Sequence, residues 1–209
     1  SEPYISHIFQ NDRNFREDEL GRLLKTLSVD PEPTYFVPQD TIHGKFVALP
    51  DRSSADLMQI IGYLLGDGNV KERCIRFKDM DTDVLHMYKD LISRTFNIRS
   101  RVVPIPGTRA WLLEANSLYL CRWLRENIVL NKKEFLGRLG QLPKDEIAAF
   151  LKGLFDAEGC VNLNSHQISL CMTDRYLLRV AQLLLLKFDI AASFYMPKKV
   201  KREWSQPYA

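Results

Sequence analysis

The sequence predicts a mixed α/β (α+β) chain of two pseudo-equivalent units, the second shorter than the first. Two observations predict it. A nine-residue pattern occurs twice, as Ile60-Ile61-Gly62-Tyr63-Leu64-Leu65-Gly66-Asp67-Gly68 and as Leu151-Lys152-Gly153-Leu154-Phe155-Asp156-Ala157-Glu158-Gly159. Each copy is an apolar helical stretch with small residues at its third and seventh places, closed by a carboxylate and a glycine. Each is also followed by alternating, strand-like residues and then by an amphipathic helix, in the same order. The predicted organisation is a lead-in over 1–50 of no assigned role, a first unit over 51–142, and a second, incomplete unit over 143–209.

In the lead-in, Phe15, Leu20, Leu23, Leu24 and Leu27 recur at helical spacing over 14–27, after which Pro31, Pro33 and Pro38 interrupt regular structure. The first unit opens with Ser54 or Asp56 as the cap of a helix through Leu57, Ile60, Ile61 and Leu64 to Asp67. Gly68 is expected to end that helix in a left-handed conformation. Over 73–79, Arg73, Ile75 and Phe77 alternate with Cys74, Arg76 and Lys78, a strand. A helix over 82–96 places Leu85, Tyr88, Leu91, Ile92 and Phe96 on one side. A hairpin over 98–113 turns at Pro106-Gly107, and a further helix spans 117–128.

The second unit replays this order. A helix led by Pro143 and Asp145 runs through Ile147, Phe150, Leu151 and Leu154 to Glu158 and closes at Gly159. A hairpin over 161–172 turns near Asn164-Ser165, with Ile168, Leu170 and Met172 facing inward and Gln167, Ser169 and Cys171 outward. Thr173-Asp174 caps a helix reaching Phe188, and a strand over 191–201 follows. By analogy with the first unit, a closing strand and a last helix are missing.

Composition sets bounds. Hydrophobic residues make up 45% and charged residues 26%, ordinary for a globular chain with a real core. The longest apolar run, around Leu183 to Leu186, is too short to cross a bilayer, and the N-terminus lacks the basic start and apolar core of a signal peptide. Cys74, Cys121, Cys160 and Cys171 form no C-x-x-C pair and have no histidine at zinc-finger spacing. They read as free thiols of a reducing intracellular compartment, whether cytoplasm, nucleoid or organelle. Net charge is only +3, but Lys198, Lys199, Lys201 and Arg202 cluster near the C-terminus, and Arg94, Arg99, Arg101 and Arg109 bracket the first hairpin. Basic residues on strands neutralise phosphates; the alternative is a solvated face.

The repeated pattern carries the chemistry. Residues four apart share a helix face, so Gly62 with Gly66, and Gly153 with Ala157, give each helix a flat strip on which two backbones can approach closely. Glycine inside a helix costs about 1 kcal/mol relative to alanine, which argues for a purpose. If the strips face each other, Asp67 and Glu158 emerge side by side. Paired carboxylates repel unless a cation lies between them, and each sits at a helix C-terminus, where the dipole disfavours negative charge. A hard divalent cation such as Mg²⁺ or Mn²⁺ offsets both costs and, beside a phosphodiester, activates water and stabilises the leaving oxygen.

With these residues in view, the chain resembles the LAGLIDADG homing endonucleases, in the single-chain form that carries two motifs. The resemblance covers about residue 54 onward and rests on the two nonamers. It implies a pseudo-twofold fold of two αββαββα units. The motif helices form the seam between two saddle-shaped sheets that lie on DNA, and the last acid of each motif, here Asp67 and Glu158, binds divalent metal. Leu65 stands where the second motif keeps Asp156, a place that is generally not a ligand in the family. The resemblance also implies a ring of polar groups around the site. Position relative to the motifs points to Lys78 as a catalytic group and to Cys171 as its counterpart, with Asn116 nearby.

Base reading is expected from outward strand residues. These are Arg73 or Arg76, Arg99, Arg101 and Arg109 in the first unit, and Asn162, Asn164, Gln167, Ser169, Lys198 and Lys199 in the second. The implied function is a metal-dependent endonuclease that makes a staggered break in double-stranded DNA at a long site. Its setting is an intron or an intein, of which this is the endonuclease region. Asp40-Thr41-Ile42-His43 does not supply the T-x-x-H spacing of self-splicing domains. The alternative is a non-cleaving binder on the same scaffold, an RNA maturase acting on an intron or a DNA-binding regulator. A monomer is expected if the second unit is complete, and completion by another chain if it is not.

Overall fold

The computed structural model describes residues 34–38 and 46–195. The first unit is built on one antiparallel sheet of four strands in the order β3-β4-β6-β5. These are β3 (Asn69–Val70), β4 (Cys74–Asp79), β5 (Ser100–Pro104) and β6 (Trp111–Asn116). Ile75 and Phe77 of β4 and Leu113 and Ala115 of β6 point to one face and are fully buried. Helix α1 (Ala55–Asp67) and helix α2 (Thr82–Phe96) lie on that face. From α2, Leu85, Tyr88, Leu91, Ile92 and Phe96 fill the core, as their spacing predicts. Ser54 caps α1 by accepting from Leu57 N at 3.2 Å, which settles the choice between Ser54 and Asp56.

The turn joining β5 to β6 uses Gly107 at φ +74°, a conformation that needs glycine. The helix expected over 117–128 stops sooner, because α3 (Leu118–Leu124) widens into a π-helical turn over Arg125–Val129. Leu130 N donates to Arg125 O at 2.8 Å, and the Asn127 side chain caps Trp123 O at 2.9 Å. Helix α4 (Lys132–Arg138) and a short 3₁₀ turn then lead to the second unit.

The second unit contains α5 (Lys144–Glu158), the hairpin β7 (Gly159–Asn162) and β8 (Gln167–Leu170), and α6 (Arg175–Leu186). Asp174 caps α6 by accepting from Leu177 N at 3.0 Å, and its other oxygen takes Lys132 of α4 at 2.7 Å. Leu177, Ala181 and Leu184 join the common core. The hairpin differs from expectation. Leu170 and Met172 are half-buried against the core, but Ile168 is 72% exposed and Val161 63% exposed. Its first-unit counterpart, Ile75, sits in a four-stranded sheet under α2. Among the described residues, β7 and β8 form a two-stranded sheet with no further strand beside them. Residues 191–195 are irregular. The rest of the strand expected over 191–201, with Lys198 and Lys199, lies outside the described residues, as does the helix expected over 14–27.

Two strands appear where the sequence suggested only interruption. β1 (Thr34–Pro38) and β2 (Phe46–Pro50) pair antiparallel, and Val47 of β2 is fully buried in the core with α1 and α2.

Candidate active site at the paired helix ends

Helices α1 and α5 pack backbone against backbone. A methyl on Gly62 would run into the carbonyl oxygen of Phe150 and come within 2.9 Å of Leu154 N. A methyl on Gly153 would meet Gln59 O and lie 2.9 Å from Tyr63 N. The two contacts mirror each other across the seam. Further along, a methyl on Gly66 would lie 2.7 Å from Ala157 Cβ and 3.2 Å from Glu158 Cγ. The four small residues therefore form one seam, and it leads to Asp67 and Glu158 at the same end.

The glycines that follow the acids act differently from expectation. Gly68 (φ −82°, ψ 157°) and Gly159 (φ −78°, ψ 145°) are extended, not left-handed. Glycine is needed because the chain folds back on its own helix. A Cβ on Gly68 would lie 2.5 Å from Leu64 Cα, and one on Gly159 would run into Phe155 O. This sharp reversal sends the chain straight from each acid into a strand.

That strand places a partner opposite each acid. The register pairs Asn69 with Arg76 and Val70 with Ile75, so its continuation sets Lys78 across from Asp67. In the second unit Gly159 pairs with Leu170, and Cys171 N donates to Glu158 O at 3.3 Å. Lys78 and Cys171 are thus equivalent by register. Burial raises the Asp67 carboxyl above the ordinary carboxylate range, the Lys78 ammonium opposes that, and Asp79 adds to it. Glu158 is raised by burial and then by the charge of Asp67. Two hard oxygen donors that repel one another fit a divalent cation. Among the described residues no group of three or more His, Cys, Asp or Glu side chains is arranged to hold a metal. A divalent ion between Asp67 and Glu158 would need water or phosphate oxygens for the rest of its shell, a need that Mg²⁺ commonly meets in that way.

Two residues inside the motifs to which the sequence reading gave no role hold this arrangement. Tyr63, inside the first motif, donates to Asp79 Oδ2 at 2.9 Å, and its hydroxyl lies 3.2 Å from Lys78 O, tying the end of β4 to α1. Asp156 does not face the acids. Its Oδ2 accepts from Tyr88 OH at 2.8 Å, Lys152 Nζ at 3.0 Å and Gln59 Nε2 at 3.4 Å, which locks α5 to α1 and α2.

The outer face of the four-stranded sheet carries Arg76 and Lys78 of β4 and Arg101 of β5. Arg76 and Arg101 both bind Glu114 of β6, which no sequence signal had marked. Arg73, Arg99 and Arg109 are exposed, Arg73 just before β4 and Arg109 in the loop before β6; Asn116 is exposed at the end of β6. In the second hairpin, Asn162 Oδ1 accepts from Asn164 N at 3.0 Å and Ser165 N at 3.2 Å, so its side chain is turned to the bend. Gln167 and Ser169 are exposed on β8. Cys74 and Cys121 are buried, Cys160 and Cys171 exposed, and all four are free thiols. No described helix is long and apolar enough to cross a membrane.

Residues 145–208 match the family described as the LAGLIDADG-like domain. The structure aligns with mesophilic variants of the homing endonuclease I-DmoI at a TM-score of 0.55, 15% identical, covering 69% of this chain and 78% of that one. This is a LAGLIDADG fold. I-DmoI in complex with DNA and Mn aligns with it at 0.51, 16% identical, over 69% of this chain and 84% of that one. By sequence, the chain is 34% identical over 93% of its length to part of glutamine–fructose-6-phosphate aminotransferase of Methanocaldococcus jannaschii. It is 32% identical over 74% of its length to an uncharacterized protein of the same organism, and 30% identical over 84% to part of elongation factor 2 of Methanopyrus kandleri. It spans 18%, 56% and 14% of those three proteins.

Proposed function

We propose that this chain is a divalent-metal-dependent DNA endonuclease that makes a staggered double-strand break at a long site. The observation that carries the reading is the close glycine seam, which ends in two acids of raised pKa, one from each unit. A binder of nucleic acid gains nothing from unpaired carboxylates beside phosphates, whereas a hydrolase needs them. Asp67 and Glu158 would hold Mg²⁺ or Mn²⁺, which supplies Lewis acidity and an activated water when bound. Lys78, opposite Asp67, places a cation where charge develops on the phosphate, and Tyr63 fixes the backbone that carries it. The pseudo-twofold pairing of the acids, one per unit, suits one cut in each strand of duplex DNA.

The distribution of relatives supports an inserted setting. One segment of about 200 residues recurs as a minor part of an aminotransferase and of an elongation factor, whose activities have nothing in common. That distribution suits an element copied into unrelated hosts and translated with them, and it supports reading this chain as the endonuclease region of an intein.

The test is a selection from random duplexes in Ca²⁺, followed by exposure of the recovered duplexes to Mg²⁺ or Mn²⁺. Wild-type protein should cut them at a fixed position, and chelation should stop it. Asp67→Asn and Glu158→Gln should abolish cutting while keeping or improving affinity. Selective binding without cutting by the wild type would replace the enzyme with a DNA-binding regulator. No duplex selected, with binding of structured RNA in a parallel RNA selection, would point to a maturase.

A further inference from the structure

We propose that Glu114 is a positioning residue that aims Arg76 and Arg101 as a fixed pair at guanine bases of the duplex. The inference rests on the DNA-binding reading above and deepens it. In the sheet register, Arg76 of β4 and Arg101 of β5 both stand opposite Glu114 of the central strand β6. Asn69 of β3 extends the same row beyond Arg76. Glu114 is buried, yet it lies on the outer face among side chains that reach solvent. Its Oε1 accepts from Arg76 Nε at 2.8 Å and Nη2 at 2.6 Å; its Oε2 accepts from Arg101 Nε at 3.2 Å and Nη2 at 2.6 Å.

Each guanidinium therefore spends one edge on the carboxylate. Its five N–H groups form two usable forks, and Glu114 takes the side fork of Nε and Nη2 rather than the end-on fork of Nη1 and Nη2. Arg76 is 35% exposed and Arg101 67% exposed, so both side chains reach solvent on the outer face. A guanidinium held in plane is suited to bidentate donation to guanine O6 and N7.

The charge balance separates base reading from phosphate binding. A row that served only to neutralise phosphates would keep both positive charges free; Glu114 cancels one of them and weakens that attraction. What the carboxylate supplies is orientation, and orientation matters for base edges far more than for phosphates.

The experiment uses the full chain in Ca²⁺. Wild-type protein selects its duplex from a random pool, and affinities are then measured for that duplex and for variants with each guanine changed to adenine. The expected result is that Arg76→Lys and Arg101→Lys each lose discrimination at one guanine, on the order of 10- to 100-fold, and that Glu114→Gln loses it at both. Loss of affinity that is uniform across sequences, with a shallower salt dependence, would mean phosphate contacts and overturn the proposal. So would full discrimination at both guanines in Glu114→Gln. Should Glu114→Gln fail to fold, the two lysine variants on the outer face decide alone: one guanine position lost by each supports the pair, and an unchanged preference in both overturns it. A wild type that selects no duplex at all defeats the endonuclease reading itself, an outcome distinct from a selective wild type whose preferences ignore Glu114.

Discussion

Replacing Gly62 by alanine tests the seam that brings the two acids together. The added methyl would run into Phe150 O and lie 2.9 Å from Leu154 N. Both obstacles are backbone of α5, so no side chain can rotate away and the helices must separate. Overpacking of this kind costs about 1–3 kcal/mol, while alanine returns up to about 1 kcal/mol of helix propensity over glycine. Gly137 in α4 supplies the control, because a methyl there meets nothing within 4 Å. Gly137→Ala keeps the propensity gain without the clash, so the difference between the two variants isolates the clash at about 1–3 kcal/mol. In a chain of this size each kcal/mol moves the melting temperature by about 2–4 °C. Gly62→Ala should therefore melt at least about 2 °C below Gly137→Ala, with a matching drop in urea midpoint. It should also lose cleavage more than stability, since parting α1 from α5 parts Asp67 from Glu158. Equal melting temperatures for the two variants would refute the close-seam argument. Gly153→Ala, the mirror position, should behave as Gly62→Ala does.

Other outcomes follow from single contacts. Tyr63→Phe strands Asp79 Oδ2 without its donor, which should cost about 1–2 kcal/mol in urea unfolding and slow cleavage while leaving DNA affinity unchanged. Asp156→Ala breaks the links to Tyr88, Lys152 and Gln59 and should lower stability by about 2–3 kcal/mol; metal affinity, followed by calorimetry, should not move. The Glu114 carboxyl is held below its ordinary range, first by the hydrogen bond from Arg101 and then by that from Arg76. A carboxyl with a depressed folded-state pKa contributes stability that is complete above its unfolded value of about 4.3 and is lost as the pH falls through the lower, folded value. The unfolding midpoint should fall across that acid window in wild type and fall less in Glu114→Gln. Asp174→Ala removes the cap of α6 and its Lys132 partner and should cost about 1 kcal/mol, read as a lower melting temperature.

What the sequence determined by itself is what short-range spacing encodes. The core faces of α1, α2 and α5, the caps Ser54 and Asp174 and the Pro106-Gly107 turn all depend on residues within a few places of one another. The glycine strip is legible for the same reason: small residues four apart mark a helix built for close approach, and the second copy names the partner. Even there, the spacing located Gly68 and Gly159 but misjudged why they are glycine, because the obstacle is the preceding turn of helix rather than a left-handed φ.

The tertiary structure decided what depends on partners distant in sequence. The alternation around Ile168 matches that around Ile75, yet one is exposed and the other buried, because burial depends on which strands and helices cover a residue. Val47 enters the core through a strand pairing that proline-rich sequence does not announce. The roles of Tyr63, Asp156 and Glu114 come from contacts with β4, with α1 and α2, and with two arginines on separate strands. A carboxylate is chemically the same in all these places. Only the fold set Asp67 and Glu158 together at the paired helix ends, Asp156 at the helix seam and Glu114 on the sheet face, because only the fold sets which charges stand beside each one and how much water reaches it.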